Sequence, residues 1–291
     1  MERYSIPIDG PLDLRRTLRP LHGRLGADGW WIAARSPDGP GSMRIHRDRG
    51  VLFGEAWGEG ASWLLSRLGS MAGFDDDPAQ FVTEDPIVSD LHRLHPGSRF
   101  GQTDLVFDAL VVAICAQKVT GKEAHRAMSG LSRRFSGPAP GPNPTLRLPP
   151  DPDAMASAPY YEFHQLHLEK RRADLLRRVS QDARRIDLLG EASTAEAARR
   201  LESVPGIGPW TSATTLAVSH GDPDQVAVGD FHLKHIVVHH LTGRARGTDE
   251  EMLDLLEPFR PHRGRVVRLL HTLGHEPKFG PRMPARDISR M

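Results

Sequence analysis

Cysteine is nearly absent from this chain of 291 residues, which contains only Cys115. A single thiol excludes a disulfide framework. Because Cys115 stands in the apolar run Leu110–Ala116, we expect it to be buried and reduced.

Long apolar runs and excess charge are missing as well. No stretch of about 18 apolar residues is present to cross a membrane, and Met1–Ser5 lack an apolar signal region. We therefore expect a cytoplasmic protein without a membrane partner. The formal net charge is only +1, so any attraction to nucleic acid must be local. A local excess does exist between His164 and Ile186, with seven basic and three acidic residues, although the preferred interpretation of most of these arginines is a solvated helix face.

The first 72 residues differ in pattern from the rest. Short strand patterns alternate with Gly, Pro and Asp turns, and two segments have helical periodicity. The predicted strands are Tyr4–Ile8, Trp30–Arg35, Met43–His46 and Val51–Glu55, and the predicted helices are Leu12–Leu21 and Ala61–Leu68. The fold class is therefore α+β, with a small N-terminal domain of mixed α/β-sheet structure at residues 1–72.

Helical periodicity dominates after residues 73–103, which we interpret as a connector containing three consecutive aspartates. Residues 104–275 are predicted to form an all-α core in two lobes, and residues 276–291 form a basic C-terminal tail. Thr120-x-x-Glu123 predicts a helix cap, and the Pro- and Gly-rich stretch Gly137–Asp153 is predicted to carry the chain between the lobes. The predicted helices are Asp104–Gln117, Tyr160–Ile186, Ala195–Glu202, Thr211–His220, Phe231–Leu241, Asp249–Leu256 and Gly264–Gly274.

One segment carries a functional signal: Leu201–Trp210 reads Leu-Glu-Ser-Val-Pro-Gly-Ile-Gly-Pro-Trp. Two glycines around one apolar residue predict a tight hairpin, and Pro209 suits the first turn of a following helix. Free backbone N–H groups at such a turn attract phosphate without reading base sequence. A plain structural turn is the alternative for this segment on its own.

The hairpin, followed by Asp230 in Gly-Asp-Phe-His-Leu, resembles the helix–hairpin–helix DNA glycosylase superfamily, and within it the inducible bacterial 3-methyladenine branch. The resemblance implies a helix–hairpin–helix glycosylase core and a catalytic carboxylate at Asp230. Some members of the superfamily carry an iron–sulfur cluster with four cysteine ligands, which one cysteine cannot supply. No cofactor is expected, although family members often bind a monovalent cation at the hairpin carbonyls.

The implied activity is a monofunctional DNA glycosylase that hydrolyses alkylated purines of the 3-methyladenine and 7-methylguanine type from duplex DNA. Bifunctional members have a lysine where this chain has Trp210, so the resemblance implies hydrolysis without lyase activity. The predicted base pocket comprises Trp210, Phe231, Gln117 and Thr214. The predicted DNA phosphate contacts are Gly206, Ile207, Gly208 and Thr211. The expected partner is duplex DNA containing damaged bases, bound by a monomer.

Structural roles compete with these interpretations. Asp230 can cap the helix that follows it, and Trp210 or Phe231 can simply pack in a core. His232, His235 and His239 share a helix face, yet no Cys or Glu completes a metal motif, so no metal site is predicted.

Departures from the family pattern leave open which base is removed and whether the protein is catalytic. The usual Gln-Gln is Gln117–Lys118, and Phe259 replaces a family tryptophan in Phe-Arg-Pro-His-Arg. A less aromatic pocket keeps two alternatives in view: a glycosylase for deaminated or oxidised bases, and a non-catalytic protein that binds damaged DNA.

Overall fold

A five-stranded antiparallel sheet forms the N-terminal part of the protein, in the order β1-β5-β4-β3-β2. The computed structural model describes residues 1–274, so the predicted basic tail at 276–291 lies outside the described residues. The strands are β1 (Glu2–Pro7), β2 (Arg24–Gly26), β3 (Gly29–Ser36), β4 (Gly39–Asp48) and β5 (Val51–Gly58). The four predicted strands are confirmed. β2 was not predicted because it has three exposed residues and no alternating pattern.

Fifteen α-helices accompany the sheet within residues 1–274. In the N-terminal part they are α1 (Leu14–Leu18), α2 (Ala61–Ser66), α3 (Leu68–Met71) and α4 (Pro86–Leu94). The next are α5 (Val106–Cys115), α6 (Gly121–Phe135), α7 (Pro152–Ser157), α8 (Tyr160–Gln165), α9 (Lys170–Gln181) and α10 (Ala183–Asp187). The last are α11 (Thr194–Glu202), α12 (Pro209–Ser219), α13 (Leu233–Thr242), α14 (Asp249–Leu256) and α15 (Arg263–Leu270). No helix among the described residues has the length and apolar composition needed to cross a membrane.

Both faces of the sheet are covered, which is why neighbouring residues of β3 are buried. Trp30 packs with α1, α2 and α3 on one face. Trp31 points to the other face, where it stacks on Trp57 with ring centroids 5.3 Å apart. Such a pair adds about 0.5–1.5 kcal/mol beyond the area that it buries.

The stretch Gly137–Asp153 covers that second face of the sheet. Leu146 and Leu148 pack against Trp31 and Trp57, and the Ser42 hydroxyl donates to the Pro140 carbonyl. The prediction of a loop is confirmed except at its last two residues, where α7 begins. The stretch is tied to the sheet by apolar contacts, which its Pro- and Gly-rich composition did not indicate.

Two clusters of buried residues lie in the helical part. The first joins α5–α12 and includes Cys115, whose thiol pKa burial raises to about 12. The second joins α4 with α13, α14 and α15. Cys115 is buried, as predicted, and stays protonated at neutral pH.

Two expectations about helices need correction. The connector at 73–103 contains α4, which is capped by the Asp85 carboxylate and buries Val88 and Leu91. The single helix predicted over Tyr160–Ile186 is three helices, because His167 adopts a left-handed φ of +65° after α8 and a further break occurs at Asp182. Periodicity continues across such breaks and therefore does not reveal them. The capping box at Thr120 and Glu123 is confirmed.

Candidate nucleic-acid interface and active site

The segment between α11 and α12 is a tight hairpin. The Ile207 amide donates to the Val204 carbonyl at 3.0 Å, and the Ser212 amide donates to the Gly208 carbonyl at 3.0 Å. Gly206 has a φ of +103°, which side-chain-bearing residues rarely adopt. Pro209 is the first residue of α12, where no N–H is required. The predicted helix–hairpin–helix order is confirmed.

Side chains hold the hairpin from two sides. Ile207 is buried in the core of the α5–α12 cluster. The Gln117 amide donates to the Gly206 carbonyl at 3.0 Å and to the Thr211 hydroxyl at 2.9 Å. The Arg178 guanidinium donates to the Pro205 carbonyl at 2.8 Å. The hairpin is therefore held by Gln117, by Arg178 of α9 and by its own buried Ile207, and the sequence context of Arg178 gave no sign of its part.

The hairpin presents a row of backbone donors. Among residues 1–274, the amides of Gly206, Gly208, Trp210 and Thr211 donate to no protein acceptor. The amide of Ile207 is already used within the turn, so its predicted contact with phosphate has no donor and its part is to anchor the hairpin. Free amides at the start of a helix form an anion-binding site, because the helix dipole adds to the attraction.

The backbone angle that requires glycine at position 206 does not require it at position 208. The Gly208 φ of −119° and ψ of −178° are extended values open to any residue. A Cβ at Gly208 meets no protein atom within 4 Å. Neither backbone strain nor packing against residues 1–274 explains this glycine.

Asp230 contacts both the first turn of α12 and the start of α13. Its Oδ1 accepts hydrogen bonds from the amides of His232 and Leu233, at 2.8 and 3.0 Å. Its Oδ2 accepts a hydrogen bond from the Trp210 indole Nε1 at 3.0 Å. The carboxylate therefore binds the backbone at the entrance of α13, and it is also tied to the first turn of the hairpin's second helix.

The other predicted pocket residues differ in burial and in hydrogen-bond partners. Trp210 is half-buried and donates to Asp230, a contact that its aromatic character did not indicate. Phe231 is 69% exposed, with its ring edge-on to His232 and His235. The Thr214 hydroxyl donates to the Trp210 carbonyl at 2.7 Å.

Gln117 and Thr211 are joined by their hydrogen bond. The amide nitrogen of Gln117 is committed to the hairpin, so this side chain braces the turn. The Thr211 side chain is buried, which leaves only its backbone amide for a phosphate.

The histidines of α13 make separate contacts. His235 Nδ1 accepts from the Gly247 amide at 3.2 Å, and His239 Nδ1 lies 3.2 Å from the Arg244 carbonyl. Burial, followed by the nearby charges of Lys234 and Arg246, holds the pKa of His235 below its usual value. Residues 1–274 contain no cluster of His, Cys, Asp or Glu arranged to bind a metal.

The basic run at 164–186 is largely engaged within the protein. Lys170 pairs with Asp174 and Arg185 with Asp182, while Arg172 is buried and donates to the Cys115 carbonyl. By contrast, three exposed cations that follow Gln117 along the chain have no acidic partner among the described residues: Lys118, Lys122 and Arg126. The same is true of Arg171 and Arg184 within the basic run, so unpaired positive charge lies both in that run and at the start of α6.

The segment containing Phe259 is structural. Phe259 is buried in the cluster of α4 and α13–α15, away from solvent. Arg263 donates two hydrogen bonds to the Asp224 carboxylate, at 2.9 and 2.7 Å. These residues fix the start of α15.

Comparison with known proteins agrees with this geometry. The family model for HhH-GPD superfamily base excision DNA repair proteins matches residues 111–261, just over half of the chain. The chain belongs to this family. The matched segment contains the hairpin, Trp210 and Asp230.

Individual relatives are distant. The chain is 22% identical over 117 residues to a Bacillus subtilis protein named "Putative DNA-3-methyladenine glycosylase YfjP", and this similarity spans 39% of the chain and 41% of that protein. Two solved structures share the fold over most of their length. A 3-methyladenine DNA glycosylase from Archaeoglobus fulgidus has a TM-score of 0.76 and 17% identity, covering 92% of this chain and 97% of its own. A Clostridium acetobutylicum 8-oxoguanine glycosylase/lyase in complex with DNA has a TM-score of 0.72 and 12% identity, covering 90% and 91%.

Proposed function

We propose that this HhH-GPD protein is a monofunctional DNA glycosylase that hydrolyses the N-glycosidic bond of alkylated purines in duplex DNA. The substrates are purines of the 3-methyladenine and 7-methylguanine type, and the protein acts as a monomer in base excision repair. The observation that carries the proposal is the position of Asp230. Its carboxylate is oriented by three hydrogen bonds and is connected through Trp210 to a hairpin with four free amides.

The hairpin supplies the grip on DNA. A phosphate accepts hydrogen bonds from free amides at the start of α12, while Lys118 and Lys122 add sequence-independent attraction. The damaged nucleotide must leave the base stack before a protein group reaches its sugar, which costs a few kcal/mol and least for a damaged base. Contacts to the backbone offset this cost.

Asp230 acts on the sugar of the flipped nucleotide. As the C1′–N bond breaks, its electron pair leaves with the base and positive charge develops on the sugar ring. The fixed carboxylate stabilises this charge and orients a water molecule. The water oxygen bonds to C1′, and its proton passes to Asp230 and then to solvent. Methylation at a ring nitrogen makes the purine cationic, so it departs as a neutral base without a general acid.

Trp210 supports hydrolysis in preference to lyase chemistry. A lyase needs an amine to form a Schiff base with the sugar, and an indole cannot do so. In the proposed complex the face of the ring contacts a cationic purine, an interaction worth about 0.5–2 kcal/mol.

Base release under single-turnover conditions tests the proposal. Wild-type protein is incubated in excess with methylated duplex DNA, and released base is measured beside the Asp230→Asn variant. We expect release by the wild type and a loss of at least about 100-fold in the variant. Equal rates would refute the role of Asp230. Borohydride should trap no covalent protein–DNA product, and a trapped product would refute the monofunctional mechanism.

A second candidate is a glycosylase for oxidised or deaminated bases. It is favoured by Phe259, which stands where the family has a tryptophan and is buried in the cluster of α4 and α13–α15, and an 8-oxoguanine glycosylase/lyase of C. acetobutylicum has the same fold. Duplexes with oxidised and deaminated bases therefore belong in the same assay. Salt-dependent binding to damaged duplex with no release of any base would favour the non-catalytic alternative.

A monovalent cation at the hairpin carbonyls remains part of the proposal. The carbonyls of Pro205 and Gly206 already accept hydrogen bonds from Arg178 and Gln117, so a cation would share them. Comparing DNA affinity in potassium with that in tetramethylammonium at equal ionic strength tests this contribution.

A further inference from the structure

The turn before Asp230 depends on a backbone conformation that must be held in place. Gly229 has a φ of +89°, and a Cβ there would meet no atom within 4 Å. Glycine is therefore required by the backbone angle and not by crowding. The Asp230 amide donates to the Ala227 carbonyl at 3.1 Å, which closes the turn on one side. Rotation about Gly229 would move the Asp230 carboxylate directly.

The Gly229 amide is held by a residue from a different helix. It donates to Asp249 Oδ1 at 3.0 Å, and Asp249 is the first residue of α14. The other oxygen, Oδ2, accepts from the Lys234 ammonium at 2.8 Å, and Lys234 belongs to the first turn of α13. One carboxylate thus links the turn, α13 and α14.

The charge state of Asp249 suits this link. Burial acts to raise its pKa, but hydrogen bonds from Lys234 and the Gly229 amide outweigh burial, and the pKa lies below its usual value. Lys234 and Asp249 keep 25% and 29% of their side-chain exposure, so solvent partly screens the pair. The link therefore matters more for geometry than for stability.

We propose that Asp249, supported by Lys234, is a positioning residue that fixes the Gly229–Asp230 turn for the reaction. The inference rests on the proposed glycosylase function. The hydrogen bonds that Asp230 accepts orient its carboxylate, and Asp249 holds the backbone of the preceding residue, Gly229. Misplacement of a reacting group by about 1 Å can cost about 100-fold in rate. No other carboxylate among the described residues accepts the Gly229 amide.

Asp249→Asn tests the proposal, because an amide provides one acceptor oxygen where the carboxylate provides two. The matched control is Asp254→Asn, since the Asp254 side chain is exposed on the same helix and has no hydrogen-bond or ion-pair partner within residues 1–274. In single-turnover base release we expect Asp249→Asn to be slower by about tenfold or more. DNA affinity should change less than about twofold, because the hairpin is untouched. Asp254→Asn should match the wild type.

Two further measurements separate positioning from general folding. Hydrogen exchange of the Gly229 amide should be faster in Asp249→Asn and unchanged in Asp254→Asn. In an Asp230→Asn background, Asp249→Asn should cause little further loss of rate, because it acts through Asp230. Independent, additive losses would overturn the proposal, and so would a wild-type rate in Asp249→Asn. If the wild type itself releases no base, the proposed function fails and the positioning role falls with it.

Discussion

The Trp210 side chain has two proposed roles: its indole N–H donates to Asp230, and its aromatic face contacts the damaged base. Replacing Trp210 with Phe keeps an aromatic face and removes the N–H donor. Asp230 Oδ1 retains its bonds to the amides of His232 and Leu233, so the carboxylate stays at the start of α13. Only Oδ2 loses its 3.0 Å partner.

The expected effect follows from the strength of such a bond. A hydrogen bond to a charged group contributes about 1.5–3 kcal/mol. Trp210 and Asp230 are only half-buried, and two of the three bonds persist, so the low end applies. A loss of about 1.4 kcal/mol in transition-state stabilisation corresponds to about a tenfold slower reaction.

Single-turnover base release with saturating Trp210→Phe measures this loss. The concentration needed for half-maximal rate should stay near that of the wild type, because the ring face remains. Trp210→Leu serves as the comparison, since it removes both donor and ring and should also weaken binding of the damaged base. A maximal rate equal to that of the wild type in Trp210→Phe would refute the tethering role of the indole.

Four further variants have expected outcomes. Gly208→Ala should keep the thermal stability of the wild type, because a φ of −119° suits alanine and no atom lies within 4 Å of the new Cβ. Its DNA affinity, measured by fluorescence anisotropy, should fall at least about tenfold, because the methyl group blocks the phosphate. Gly206→Ala should instead lose about 1–2 kcal/mol of stability, because φ is +103°, and equal stability of these two variants would contradict the distinction. Lys122→Gln should reduce the slope of log affinity against log salt by about 0.9, whereas Arg199→Gln should not, because Arg199 pairs with Glu196; equal slopes would exclude Lys122 from the interface. Asp108→Asn tests pH dependence: burial, then the neighbouring Asp187 charge, raises the Asp108 pKa to about 8. Because the folded pKa lies above the unfolded one, the stability from the neutral carboxyl is present below about pH 4 and is lost as pH rises through 8. The melting temperature of the wild type should therefore fall relative to that of Asp108→Asn between pH 5 and pH 9, and parallel curves would contradict this.

Local patterns predicted local structure well. The strands of the N-terminal sheet, the capping box at Thr120 and the hairpin around Gly206 depend on alternation, side-chain capping and backbone freedom, which neighbouring residues determine. Breaks inside a periodic segment were missed. The left-handed His167 between α8 and α9 has no local signal, and the helix α4 lies in a segment whose aspartates suggested a connector.

Within the candidate site, residue types were predictable and contacts were not. Gln117 was expected at the base pocket, but its amide braces the hairpin. Arg178 and Asp249 were not expected at all, because their partners lie 27 and 20 residues away along the chain. Contacts between separate elements leave no periodic trace in a sequence.

The sequence by itself determined the order of sheet, helices and hairpin, the single buried thiol, and the family resemblance that pointed to Asp230. Those features follow from short-range backbone preferences and from residues in fixed succession. Only the tertiary structure decided that Trp210 donates to Asp230, that Asp249 holds the preceding turn, and that Lys118, Lys122 and Arg126 have no acidic partner among residues 1–274. Each of these depends on the distance between groups from different elements, which packing of the helices sets.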